Sequence, residues 1–119
     1  MSTAATDSCI FCRIARRELG GPWLAENDHA LAFRDLHPQA PVHVLVIPKL
    51  HLSGIHAAEP AQQPVLGAVL MLARDVADAE GLGDSGYRLV TNQGADGGQS
   101  VSHWHVHVLG GRAMAWPPG

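Results

Sequence analysis

The chain has 119 residues, 46% of them hydrophobic and 16% charged, a balance that predicts a packed domain and excludes extensive disorder. Its formal net charge of −3 argues against a surface for duplex nucleic acid, so we expect no nucleic-acid partner. No apolar run approaches the roughly 18 residues that span a bilayer, and the first residues lack the features of a signal peptide. We therefore expect a cytoplasmic protein with no membrane partner.

The N-terminal part of the chain is predicted to contain a tail and one short helix. Residues 1–8 indicate a flexible tail ahead of a single domain over residues 9–119. A helix is predicted over residues 9–17, with Asp7 or Ser8 as its cap and a stretch rich in glycine and proline as its end.

Two cysteines, Cys9 and Cys12, stand at the start of this predicted helix. Thiolates at this spacing can grip a tetrahedral metal ion such as zinc when two histidines complete the shell, and His51 and His103 are the candidates. A redox dithiol is less well supported, because the βαβ setting of such sites is missing, and a disulfide is not expected in the cytosol. Two free thiols remain an alternative.

The rest of the chain contains several strand patterns and one long helix pattern. Apolar residues at helical spacing predict a helix over residues 60–80. Together the patterns predict an α+β fold with a mostly antiparallel sheet. The predicted strands are a hairpin of residues 23–26 and 29–34, a central strand at 43–48, and further strands at 87–92 and 103–109.

Three histidines, His103, His105 and His107, fall at alternate positions of the last predicted strand. Alternation in a strand places all three on one face, roughly 6.6 Å apart in succession. A polar, glycine-rich loop over residues 92–100 precedes them and lets backbone N–H groups approach a ligand. The alternative is that the three rings are merely exposed, or satisfied within the core.

The central histidine, His105, is a candidate nucleophile towards phosphorus, because a neutral imidazole is available near pH 7. Groups nearby would then stabilise the phosphate oxygens and the leaving group. These groups are the backbone N–H groups around Gly98, Gln99 and Ser100, together with the side chains of Asn92, Ser100 and His107.

A second set of residues suits the nucleoside part of a nucleotide. Asp35 ends a predicted strand, where a carboxylate can accept bonds from both ribose hydroxyls, although an Asx turn explains it equally well. Four apolar residues could wall a pocket for a base, but their spacing alone favours a place in the core. They are Phe11, Ile14, Phe33 and Leu36.

The segment His-Trp-His-Val-His-Val-Leu at 103–109 resembles the signature of the histidine-triad (HIT) proteins, and in particular their Hint branch. The resemblance runs from Cys9 to the last residue, and Trp104 departs from it because the family usually has an aliphatic residue there. The other segments that carry it are residues 33–35, 38–41, 46–49, 92–100 and 110–119.

This resemblance implies a five-stranded antiparallel sheet with two helices, and a homodimer whose two sheets join into one of ten strands. It implies an enzyme that hydrolyses purine nucleoside phosphoramidates or aminoacyl-adenylates, conjugates of AMP or GMP, to a mononucleotide and an amine. Cys9 and Cys12 look like the zinc-binding subgroup, in which His51 and His103 are the other ligands. Four protein ligands leave no open position, so the zinc would be structural.

The resemblance also implies a role for each matching residue. His105 would be the nucleophile, His43 would support the triad from behind, and Trp116 would reach the partner subunit's site. The residues implied at the phosphate and the scissile bond are Asn92, Gly98, Ser100 and His107, Asp35 is implied at the ribose, and Ile10, Phe11, Ile14, Phe33 and Leu36 are implied around the base.

Two other functions compete with this one. A dinucleoside polyphosphate hydrolase is the chemistry of a sister branch, but Ser100 and the ending at 116–119 point away from it. The other alternative is a nucleotide-binding or scaffolding protein whose catalysis is incidental, although the intact triad favours an enzyme.

Overall fold

The structure, a computed structural model, describes residues 7–19, 21 and 23–119. Among the elements described within these residues are a five-stranded antiparallel sheet and two α-helices, which confirms the predicted α+β class. The helices are α1 (Ile10–Ala15) and α2 (Gln63–Ala79), and the strands are β1 (Ala25–Glu26), β2 (Ala30–Arg34), β3 (Val42–Pro48), β4 (Tyr87–Val90) and β5 (Val106–Gly110).

The predicted tail lies mostly outside the described residues, which begin with a helical Asp7 and Ser8. Neither of these residues caps α1, contrary to the sequence prediction. The N-cap is Cys9, whose sulfur accepts the backbone N–H of Cys12 at 3.4 Å. The two thiols thus lie at the start of α1, one at the N-cap and the other in the first turn.

The strand order is β1-β2-β3-β5-β4, so the apolar β3 lies at the centre and is paired on both sides. Its burial on both faces explains why its sequence is a continuous apolar run rather than an alternating one. The register sets Leu45 opposite His107 and His43 opposite Leu109. The central strand therefore carries one histidine next to the last histidine of the triad.

The sheet has a different layer on each face. The larger core packs α2 against one face, where Trp104 and Val106 meet Val69 and Leu72 of the helix. On the other face, Phe11 of α1 packs in a smaller cluster with residues of β2 and β3. The triad residues His103 and His105, almost fully buried, belong to this second side.

The last strand is shorter than predicted, because β5 begins only at Val106. The carbonyl of His103 accepts a bond from the His105 ring at 2.8 Å, and the carbonyl of His105 accepts one from the Thr91 hydroxyl at 2.7 Å. Both carbonyls are thus bonded to side chains, and neither residue belongs to the strand ladder. The alternation of faces survives, because Trp104 lies in the α2 core and its indole donates to Thr91.

Helix α1 ends at Ala15, two residues before the predicted end at Arg17. A Schellman motif terminates it, with Arg17 in the left-handed position. Arg17 has φ of 60°, its N–H donates to the carbonyl of Ile14, and the N–H of Glu18 donates to that of Arg13. The left-handed position of this motif usually holds glycine, so arginine there is strained. Neither described helix has the length and apolarity that crossing a membrane requires.

We predict that Gly67→Ala stabilises the protein. Gly67 is an exposed residue inside α2, and an added Cβ meets no atom within 4 Å. Alanine restricts the unfolded chain more, so the free energy of unfolding should rise by about 0.5–1 kcal/mol in urea denaturation. Gly81→Ala is the matched control and should lose stability, because Gly81 has φ of +76°. A loss of stability in both variants would contradict the prediction.

Candidate functional site

A chain of hydrogen bonds fixes the protons on two histidines. The backbone N–H of Gln39 donates to Nδ1 of His43 at 3.0 Å, so the proton of the neutral His43 ring is on Nε2. That Nε2 lies 2.9 Å from Nδ1 of His107 and 3.4 Å from a carboxylate oxygen of Asp35. His107 therefore accepts at Nδ1 and carries its own proton on Nε2, where it can donate to a ligand.

Burial keeps this pair of histidines uncharged. It lowers the pKa of His107 to about 4, and the neighbouring His105 and His43 add to the effect while Asp35 opposes it. Burial also lowers the pKa of His43, against the opposing charge of Asp35. Both rings are neutral at pH 7, as the relay of hydrogen bonds requires.

The ring of His105 carries its proton on Nδ1, whereas His43 and His107 carry theirs on Nε2. Its Nδ1 lies 2.8 Å from the carbonyl of His103, and because a carbonyl only accepts, Nδ1 carries the proton. Its Nε2 has no hydrogen-bond partner among the described residues and is not fully enclosed. The ring is held by the edge of Phe11, 5.1 Å away between centroids, and stands 5.0 Å from the His107 ring. A lone pair thus faces outward beside a neighbouring N–H donor.

The glycine-rich loop over residues 92–100 is close-packed on itself. A Cβ on Gly97 would collide with the backbone of Gln93, and Gly98 has φ of +74°, so both positions need glycine. The Asn92 side chain donates to the carbonyl of Gly97 at 2.7 Å. The amide group of Gln99 bridges the N–H of residue 94 and the carbonyl of residue 53.

The backbone N–H groups of Gly98 and Gln99, which are predicted to lie at the phosphate, have partners within the loop. The first donates to the carbonyl of Ala95 at 3.1 Å and the second to that of Gly94 at 3.0 Å. The next N–H, on Ser100, has no acceptor among the described residues, and Ser100 itself is exposed. The loop therefore presents Ser100, rather than its glycines, to a ligand.

Asp35 does form the Asx turn that the sequence left as an alternative. One carboxylate oxygen accepts the backbone N–H of His37 at 2.8 Å, while the other lies near His43. The side chain remains one-fifth exposed. An acceptor oxygen is thus available between the histidine pair and the end of β2.

A cavity of about 290 Å³ lies beside the end of β2. Three of the five apolar residues implied around a base, Ile14, Phe33 and Leu36, line it, and Leu36 is 90% exposed at its rim. Phe11 does not line it, because its ring is buried against the triad. Trp23, which sequence reasoning missed, does line it, and its large aromatic ring just ahead of β1 was the available signal.

Ile10 lies in a different place from the other apolar candidates. It lines a second, more polar cavity of about 470 Å³ together with Ser53 and Ser100. Cys9 and His51 also line this cavity. The two ends of α1 therefore border two separate cavities, with Phe11 between them against His105.

The four predicted metal ligands, Cys9, Cys12, His51 and His103, form one cluster. Nδ1 of His103 lies 3.3 Å and 3.4 Å from the two sulfurs and 3.2 Å from Nδ1 of His51, which is 3.1 Å from the Cys12 sulfur. Tetrahedral zinc with ordinary bond lengths separates such atoms by roughly 3.3–3.6 Å. The donor set and its spacing fit zinc.

The hydrogen bonds and protonation of the cluster also suit a metal. Nε2 of His103 lies 2.9 Å from the carbonyl of Pro48 and so carries the proton, which leaves Nδ1 bare towards the cysteines. Burial, with help from Cys9, raises the pKa of the Cys12 thiol to about 11. A metal ion would take the place of this proton.

Arg112 and Gln39 support the position of His43 from outside the site. Arg112 donates from two guanidinium nitrogens to the carbonyl of Gln39, whose N–H orients His43, and sequence reasoning gave neither residue a role.

Trp116 is 81% exposed, and no contact between it and the triad is found among the described residues.

The HIT domain model matches residues 16–114 of the chain. A HIT-like protein of Synechocystis sp. is 50% identical over 113 residues, which cover 95% of this chain and 98% of that protein. A 14 kDa zinc-binding protein of Zea mays is 50% identical over 112 residues, which cover 92% of this chain and 87% of that protein.

Solved structures of HIT family and histidine triad proteins are also similar to this chain. The structure of a HIT family hydrolase from Legionella pneumophila has a TM-score of 0.91 and 47% identity, covering 94% of this chain and all of that one. That of a histidine triad protein from Clostridium difficile has a TM-score of 0.88 and 35% identity, covering 97% of each chain.

We predict that stability falls as the pH is lowered from about 7 towards 4. The unfolded chain protonates His107 near its ordinary pKa of 6.5, whereas the folded chain resists protonation until about 4, so protons favour unfolding between these values and the loss is complete below them. Urea denaturation across this pH range measures it. His107→Gln should make the dependence less steep but not remove it, because burial also lowers the pKa values of His43 and His103. An unchanged slope in that variant would contradict the contribution of His107.

Proposed function

The chain belongs to the HIT domain family, and we propose that it hydrolyses the P–N bond of purine nucleoside 5′-phosphoramidates and related aminoacyl-nucleotide conjugates. The reaction would pass through a nucleotidyl-histidine intermediate on His105. The observation that supports this most is the pairing of opposite tautomers, with a lone pair on Nε2 of His105 beside an N–H on His107.

In the proposed first step, Nε2 of His105 attacks phosphorus and a P–N bond to the enzyme forms as the P–N bond to the amine breaks. Nε2–H of His107 donates to a nonbridging oxygen, which favours the transition state because charge grows there. The amine leaves with a proton that reaches it from water through the hydroxyl of Ser100. The hydroxide left by that water then attacks the phosphorus and breaks its bond to Nε2, which releases the mononucleotide and restores neutral His105.

The nucleoside is proposed to lie on the β2 side of the site. The base would enter the 290 Å³ cavity with Phe33 and Leu36, and Asp35, directly between them in sequence, would accept the ribose hydroxyls. Asn92 would reach the phosphate only by exchanging its bond to the loop. The leaving group would lie on the other side, next to Ser100 and the 470 Å³ cavity.

We also propose that the four-residue cluster of Cys9, Cys12, His51 and His103 holds a structural zinc ion. When bound, the ion supplies a cross-link between α1 and the sheet and no open coordination position for substrate. Because α1 also carries Phe11, which packs on His105, the cross-link would keep the nucleophile in place.

We also propose that the protein forms a homodimer through the edge of its sheet. Strand β4 is an edge strand, and its Tyr87 and Leu89 are exposed, as are Leu70 and Met71 of α2. A second copy pairing along β4 would cover these residues and produce a sheet of ten strands. It would also bring the exposed Trp116 towards a partner's site.

Replacing the nucleophile tests the covalent route. His105→Asn should lower turnover of adenosine 5′-phosphoramidate by at least about 10³-fold, while AMP binding measured by calorimetry persists. His29→Asn is the matched control, since His29 is exposed on the hairpin outside the site. Retained turnover in His105→Asn would exclude the intermediate, and faster cleavage of dinucleoside polyphosphates by the unaltered protein would favour the sister chemistry.

Metal analysis of the purified protein tests the zinc. We expect about one zinc per chain, lost in Cys12→Ser and in His51→Asn, with a lower melting temperature in both. His56→Asn should keep its zinc, because His56 lies outside the cluster. A protein that is free of zinc after growth in zinc-supplemented medium, yet fully stable, would refute this assignment.

A further inference from the structure

The side-chain amide of Gln99 makes three hydrogen bonds within the protein. Its Nε2 donates to the carbonyl of Ser53 at 2.6 Å and to that of Val101 at 3.0 Å, while its Oε1 accepts the backbone N–H of Gly94 at 2.9 Å. Because a carbonyl only accepts and a backbone N–H only donates, these partners identify which end of the amide is the nitrogen. Both hydrogens on that nitrogen are used within the protein.

These hydrogen bonds hold the chain on both sides of Ser100. The bond from Gln99 to the carbonyl of Val101 joins the two residues that flank Ser100. The bond to Ser53 ties the same segment to the chain that follows β3, and Val101 packs against the apolar cluster that contains Phe11. The neighbours of Ser100 are therefore fixed, whereas Ser100 itself is exposed.

The position of Gln99 requires an uncharged donor. Its Nε2 lies between two carbonyl oxygens, and the residue is only partly exposed. Glutamate has the same shape, but it would place a carboxylate oxygen against two other acceptors, so two hydrogen bonds would become repulsive contacts. The loop thus needs glutamine here for its own structure, whether or not the side chain touches a ligand.

We propose that Gln99 is a positioning residue, which holds the hydroxyl of Ser100 at the scissile P–N bond. This inference rests on the proposed function, because that function assigns the transfer of a proton to Ser100. As the P–N bond breaks, the hydroxyl gives its proton to the departing nitrogen and takes one from water. Gln99 would thus affect the breaking of the bond and not the binding of the nucleotide.

Two substrates that differ in their need for this proton test the proposal. They are the adenosine 5′-phosphoramidates of para-methoxyaniline and para-nitroaniline. The nitro group withdraws charge from the departing nitrogen, so that amine depends less on protonation as it leaves. For Gln99→Glu we expect kcat/KM to fall roughly tenfold or more with the methoxy conjugate, but no more than about threefold with the nitro conjugate.

Gln93→Glu is the matched control, because it adds the same charge to the same loop. The Gln93 side chain uses its oxygen to accept the backbone N–H of His56 at 2.9 Å, a bond that glutamate retains. This control should cleave both conjugates at close to the original rates. The affinity of Gln99→Glu for AMP, measured by calorimetry, should equal that of the control.

A second variant, Gln99→Met, removes the two donors without adding charge. It should show the same unequal loss between the two conjugates, and it decides the question if Gln99→Glu cannot be folded. A positioning role is overturned if the loss is equal for both conjugates, because a general loosening of the loop does not depend on the leaving group. Unchanged rates in the Gln99 variants would overturn it as well.

The possible outcomes separate this inference from the function on which it rests. Cleavage of the conjugates by the unaltered protein supports the proposed function whatever the Gln99 variants do. If the unaltered protein cleaves neither conjugate, both proposals are overturned.

Discussion

The hydrogen bond from Nδ1–H of His105 to the carbonyl of His103, 2.8 Å long, is the interaction on which the site depends. It decides which nitrogen of His105 has the lone pair and turns that nitrogen outward. The ring of His103 is meanwhile fixed in the Cys/His cluster and by the carbonyl of Pro48. His103 therefore belongs to the Cys/His cluster through its side chain and orients the proposed nucleophile through its backbone carbonyl.

Protonation in the site is set mainly by neutral groups. A backbone N–H from Gln39 and a backbone carbonyl from His103 give adjacent histidines opposite tautomers, and burial keeps His107 uncharged. Such an arrangement does not require a charged side chain to hold each ring, and the Asp35 carboxylate lies farther from His43 than His107 does. The bond between Arg112 and Gln39 extends the support to the C-terminal segment.

The sequence predicted those parts of the molecule that follow from periodicity or from donor chemistry. The apolar run of β3, the stripe of α2 and the grouping of four cysteine and histidine side chains in one cluster are examples. Predictions failed where the hydrogen bonds depend on the folded chain: β5 begins only at Val106, after two residues whose carbonyls bond to side chains, and the cap of α1 is the sulfur of Cys9. The folding of the loop onto its own N–H groups, and the three bonds of the Gln99 amide, depend on three-dimensional packing that no local pattern encodes.

The hydroxyl of Thr91 links the two layers of the fold. It accepts from the Trp104 indole, in the core under α2, and gives its single proton to the carbonyl of His105, on the histidine side. With both roles taken, the hydroxyl has no freedom to rotate. Serine would preserve both hydrogen bonds, whereas valine, similar in shape to threonine, would remove both. One oxygen atom thus connects the side chain of Trp104, which packs under α2, to the backbone of His105.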